Sequence, residues 1–151
     1  MTSVFETLDL HLYEEIDSAA LVRQLLDEDL PCDQYPNATV RSEIGTDINT
    51  LADGLCVIYD VGPAVNIGAD RWRFPLSLSV FASDPDMGSR FKAWLYKRVM
   101  GWPYRDPVKA GSVRSVEPTG FRRTGPDDWN LARNVYVWSM EDVVVTALAF
   151  H

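Results

Sequence analysis

The sequence predicts a single α+β domain, a mostly antiparallel β-sheet with two main helices packed on one face. Three observations predict it. Patterns typical of helices and strands come in blocks, with a helix, a group of strands, a second helix and further strands. Residues 73–81, RFPLSLSVF, set Phe74, Leu76, Leu78 and Val80 against Pro75, Ser77 and Ser79, the alternation of a strand covered on one side. Residues 84–103 carry a full set of helix boundary signals: Asp84 as cap, Pro85 at the first helical position and Pro103 past the end.

Residues 1–16 form an N-terminal arm in which Val4, Phe5, Leu8, Leu10, Leu12 and Ile16 are scattered without a clean period, and the domain proper is expected over 17–151. Asp17 suits an N-cap. Behind it Ala19, Val22, Leu26 and Leu30 recur at three- and four-residue spacing up to Pro31, which predicts a helix over 18–30. Residues 38–45 suit a strand and 46–54 a polar turn region. LCVIYDV, at 55–61, predicts a further strand, followed by the alternating one at 73–81. Pro75 lacks an amide donor, so it is expected at the beginning of that strand or facing an unpaired edge. In the helix at 84–102, Met87, Phe91, Trp94, Leu95, Val99 and Trp102 make an apolar face, and Arg90, Lys92, Lys97 and Arg98 a basic outer surface. Strands are expected at 111–117 and at about 133–148, the second long enough to bulge near Glu141 and Asp142. PTGFRRTGPDDWN, between them, is too turn-rich for regular structure and reads as an exposed loop.

Composition narrows the function classes. A chain of 151 residues fits one domain, and 46% hydrophobic against 24% charged residues is the balance of a folding chain, not a disordered one. No apolar run approaches the roughly 18 residues of a membrane span, and the start lacks the basic and apolar parts of a signal peptide. Synthesis and use in a cytoplasm, with no membrane partner, are therefore expected. Cys32 and Cys56 are too few for a disulfide framework and read as reduced structural thiols. A zinc site would consume both, together with His11 and His151, so no metal is expected.

No catalytic set emerges either. His11 and His151 sit near the termini without a nucleophile turn, and neither a GxSxG elbow nor a phosphate-binding glycine loop occurs. The carboxylate pairs have structural explanations: Asp84 and Asp86 belong to a helix start and Asp127 and Asp128 to a turn. The expectation is a protein that is not an enzyme and binds no cofactor.

Charge and aromatic content point toward association. Residues 1–60 hold thirteen Asp and Glu against Arg23 and Arg41, a balance of −11, while 61–133 hold twelve Lys and Arg against seven acids, a balance of +5. Acidic and basic portions can dock head to tail, unless folding intermingles them. Five tryptophans exceed what one small core needs. Phe121, Arg122, Arg123 and Trp129 form the one short basic and aromatic cluster, suited to an interface anchor, and Arg90, Lys97 and Arg98 are the basic partners expected on the outer helix face.

Two stretches resemble a known family: PAVNIGADRWRFPLSLSVFASDPDMGSRFKAWLYKRVMGW and AGSVRSVEPTGFRRTGPDDWNLARNVYVWSMEDVVVTAL. They are similar to the tail terminator, or head–tail joining, proteins of long-tailed actinobacteriophages. In that family a P-x-V-x-I strand leads through a D-R turn to a strand ending V-F-A. An A-x-L-x-x-x-V helix, a G-x-V strand, a proline-containing loop and a last valine-rich strand follow. Pro63, Val65, Ile67, Asp70, Arg71, Val80 to Ala82, Ala93, Leu95, Val99, Gly111 and Val113 stand at those places; the acidic arm lies outside the pattern. The resemblance implies a structural virion protein at the head–tail junction. Its copies would close into a ring, typically hexameric, that caps the tail tube, ends its polymerisation and meets the head–tail connector protein. DNA would only pass through the lumen, whose acidic walls would not hold phosphates. Two other readings of the residues are a small α+β ligand-binding or regulatory domain, with a pocket between the helix at 84–102 and the sheet, and another head-to-tail connector subunit.

Overall fold

The computed structural model describes residues 14–43, 54–124 and 135–150. Its elements in chain order are helix α1 (Ser18–Asp29), strands β1 (Ala38–Arg41), β2 (Leu55–Val61), β3 (Val65–Gly68) and β4 (Arg71–Ala82), helix α2 (Pro85–Met100), a short 3-10 turn (Trp102–Tyr104), and strands β5 (Gly111–Glu117), β6 (Arg122–Thr124) and β7 (Tyr136–Ala149). The α+β class is that expected. The seven strands form one sheet in the order β1-β2-β4-β7-β5, with β3 pairing on β4 and β6 on β7. Only β1 and β2 run parallel; the other pairings are antiparallel.

Both helices begin where the sequence places them, because a side chain replaces the missing hydrogen-bond partner of the first turn. The Ala20 amide donates to Asp17 Oδ1 at 3.0 Å, and the Asp86 amide to Asp84 Oδ1 at 3.0 Å. Leu21, Val22, Leu25 and Leu26 of α1 and Phe91, Leu95 and Val99 of α2 are buried in one core with the sheet. Phe74, Leu76, Leu78 and Val80 line the sheet side of that core, each at most 1% exposed. Trp102, expected on the apolar face of the helix, lies beyond it in the 3-10 turn and is buried there.

The long central pair β4–β7 contains the expected bulge. Leu76 pairs with Val143 and Leu78 with Met140, so Glu141 and Asp142 lie opposite Ser77 alone, and Asp142 takes a φ of 57°. That extra residue keeps Met140 and Val143 on the core face on both sides of the irregularity. Pro75 departs from its first expected position: it lies inside β4, paired with Val144. Its carbonyl accepts from the Gly62 amide at 2.9 Å, just past the last residue of β2 and before β3 begins. A strand residue points its nitrogen and carbonyl the same way, so the missing donor faces this gap and costs no ladder bond. Gly62 fits because a Cβ there would lie 2.4 Å from the proline ring.

A smaller apolar cluster of Cys56, Phe81, Val135 and Val137 is buried apart from the main core, and Cys56 pairs with Phe81 and Phe81 with Val137 across the ladders. Ser79 and Ser139 are buried on the same sheet face and share a hydrogen bond of 3.0 Å, which satisfies both hydroxyls. Neither Cys32 nor Cys56 is in a disulfide.

Candidate interface surfaces

The outer surface of α2 is built by helical spacing. Arg90, Trp94, Lys97 and Arg98 recur at four, three and one residues, so they share a stripe turned away from the sheet. Arg90, Lys97 and Arg98 are exposed, as expected. Trp94, expected on the apolar face, is half-buried at its margin: its ring stacks on Phe91 at 5.7 Å and packs tilted against Tyr35 at 5.2 Å, while the Arg98 guanidinium covers it at 5.1 Å. One of the stripe's cations is thus held on an aromatic face.

Segment 118–130, expected to be irregular, contains the edge strand β6. Arg122 pairs with Ser139, Arg123 with Trp138 and Thr124 with Val137. Pairing on β7 overrides the turn-rich composition, and it separates the two arginines, because neighbours on a strand point to opposite faces. Arg123 lies on the helix side, its guanidinium 5.2 Å from the Tyr136 ring and 5.9 Å from Trp138. Arg122 is exposed on the other face. Phe121 is half-buried against the core and not displayed. Trp129 lies outside the described residues, as do His11, His151, Asp127 and Asp128.

The acidic and basic halves partly meet within one chain. Arg105 pairs with Glu28 and reaches Asp29 Oδ1 at 3.8 Å. The Trp102 indole donates to Asp29 Oδ2 at 3.4 Å. Burial pushes the Asp29 carboxyl above its ordinary value, opposed by the Trp102 hydrogen bond and the Arg98 charge. These residues, with Gln34, Trp94, Lys97 and Tyr104, line an open groove of about 940 Å³ at the ends of both helices. The interval between α2 and the sheet, the pocket position of the ligand-binding reading, is filled by Phe91, Leu95 and Val99, none of them accessible to solvent. Acidic and basic residues line the groove in equal number, so no single ligand charge is favoured.

Among the described residues no group of three or more His, Cys, Asp or Glu is placed to hold a metal ion, and no helix is long and apolar enough to cross a membrane. The exposed surface that composition and spacing did not single out is the β3–β4 hairpin, although the resemblance implied its strand–turn–strand order at Val65, Ile67, Asp70 and Arg71. Val65 is 62% and Ile67 41% exposed, beside the exposed Arg71 and Arg73. Their signal was the alternation of VNIG, hidden by its brevity between Pro63 and the turn at 69–70. No protein-family model matches the chain, and no curated protein matches it significantly in sequence.

Proposed function

We propose that the chain is a structural subunit whose copies close into a hexameric ring on the end of a phage tail tube, stop its polymerisation and join the tail to the head connector. The observation that carries this reading is the resemblance to tail terminator proteins, whose motif positions fall in order on consecutive elements of one fold. Val65 and Ile67 lie in β3, Asp70 and Arg71 at the hairpin, Val80 to Ala82 at the end of β4, Ala93, Leu95 and Val99 in α2, and Gly111 and Val113 in β5. Two surface features support it. The exposed Arg90, Lys97 and Arg98 of α2 and Arg122 and Arg123 of β6 offer cations on two elements, which suit acidic surfaces of a neighbour. In this reading the protein acts by assembly and not by catalysis, with the tail tube protein and the connector protein as partners and the virion as its location.

The test is assembly in vitro. Tail tube subunits polymerised with this protein should give short tubes bearing ring-shaped density at one end in negative-stain micrographs. Tubes of unchanged length without caps would reject the reading.

A further inference from the structure

The outer crest of α2 and the sheet face on the far side of the molecule carry complementary series of charges. Gly88, Phe91, Leu95 and Val99 are the buried residues of α2, so the residues that point straight away from the sheet are Asp86, Arg90, Ala93 and Lys97. They recur at four, three and four positions, and all four are exposed. At 1.5 Å of rise per residue the steps between them are about 6, 4.5 and 6 Å. Their signs run negative, positive, neutral, positive. None of the three charged side chains forms an ion pair with a described residue, so the crest keeps its charges for another surface.

The sheet face turned away from the helices presents the opposite signs in the same order on four neighbouring strands. Asp60 of β2 pairs with Ser77 of β4, and Ser77 lies opposite Glu141 and Asp142 at the bulge of β7. Their neighbours Tyr59, Val61, Leu76, Leu78, Met140 and Val143 pack into the helix-side core, so Asp60, Ser77, Glu141 and Asp142 point the other way. Arg122 of β6 follows on that face, paired with Ser139 two residues along β7 from Glu141. Adjacent strands lie about 4.8 Å apart, so the series Arg122, Glu141 with Asp142, Ser77 and Asp60 advances by about that distance at each strand. It reads positive, negative, neutral, negative. A helix laid obliquely across these strands sets Asp86 on Arg122, Arg90 on Glu141 and Asp142, Ala93 on Ser77 and Lys97 on Asp60. The two small side chains, Ala93 and Ser77, meet at the centre, where they let the surfaces approach. Asp60, Arg122, Glu141 and Asp142 are exposed and form no ion pair with a described residue.

We infer that α2 of one copy lies across strands β6, β7, β4 and β2 of a second copy, its crest charges paired with those of the sheet face. The two surfaces are on opposite sides of one chain, so no copy can satisfy its own, and the contact is heterologous. This rests on the ring reading for its closure and adds the surfaces through which neighbours hold each other. The experiment uses two populations of the full chain in a Cys32→Ser background, one tagged and carrying Ala93→Cys, the other untagged and carrying Ser77→Cys. They are mixed and treated with a short bismaleimide. The expected result is a covalent dimer containing one chain of each kind. Its yield should fall about tenfold or more when the tagged chain also carries Arg90→Glu and Lys97→Glu, and rise again when the untagged chain carries Asp60→Lys and Glu141→Lys. That rescue separates a lost contact from a misfolded chain, which a change on the partner cannot restore. Absence of the mixed dimer, or a yield indifferent to charge reversal, overturns the inference. Light scattering on the same samples separates the two claims. A discrete oligomer without mixed dimers rejects this contact and leaves the ring, charge-dependent mixed dimers within open, growing polymers keep the contact and reject the ring, and monomers without mixed dimers reject both.

Discussion

Gly88 in the first turns of α2 lies directly under the Trp138 ring of β7, so close that a Cβ on residue 88 would sit 2.3 Å from the indole. The contact fixes how near the helix approaches the sheet, and Arg123 packs over the same ring from the edge strand. Gly88→Ala should therefore cost about 1–3 kcal/mol of stability, as overpacking does, although alanine favours helices. A denaturant titration showing an unchanged or higher midpoint would mean that Trp138 moves aside freely.

Leu95 shows no solvent exposure between α2 and the sheet, and Leu95→Ala should cost roughly 2–5 kcal/mol. A loss below about 1 kcal/mol in a urea titration would contradict the packing described for α2.

Arg122 and Arg123 should matter to assembly more than to folding. An exposed cation–π contact is worth up to about 1 kcal/mol, whereas an interface anchor commonly costs more than about 2 kcal/mol of binding when truncated. The pair Arg122→Ala and Arg123→Ala should leave thermal unfolding nearly unchanged and weaken ring formation. Equal incorporation of variant and wild type into capped tubes would remove these residues from the interface.

Asp29 gives the protein a pH signature. Its carboxyl is raised by burial, so the folded chain holds that proton more tightly than the unfolded chain. Wild-type stability relative to Asp29→Asn, in which a side-chain oxygen can still accept from Trp102, should then decline as pH rises from the ordinary carboxylate range through the raised value. A flat difference, or one that grows with pH, would show that the buried charge is fully compensated by Arg98 and Trp102.

The extent to which the sequence is legible follows from where each signal resides. Local signals were read correctly: Asp17 and Asp84 cap their helices, LCVIYDV and GSVRSVE are strands over the expected residues, and the bulge lies at Glu141 and Asp142. What depended on distant partners was not. β6 exists because β7 offers it an edge, and Pro75 is tolerated inside β4 because β2 ends at Val61. Trp102 bonds Asp29 across 73 positions of sequence, and Arg105 takes up part of the acidic excess of the first sixty residues. None of these pairings leaves a trace in spacing or composition.

The central claim is that copies of this chain close on one another, and its most direct measurement is the mass in solution by size exclusion with light scattering, across protein concentration and salt. The account predicts a discrete closed oligomer, six chains in the proposed ring, that shifts toward smaller species as sodium chloride rises, because contacts made by the exposed Arg90, Lys97 and Arg98 would be screened beyond about 8 Å. Sodium sulfate at matched ionic strength should weaken it less, since sulfate strengthens the burial on assembly of apolar surface such as that of the exposed Val65 and Ile67. A monomer at every concentration, including in mixtures with tail tube subunits, would contradict the account.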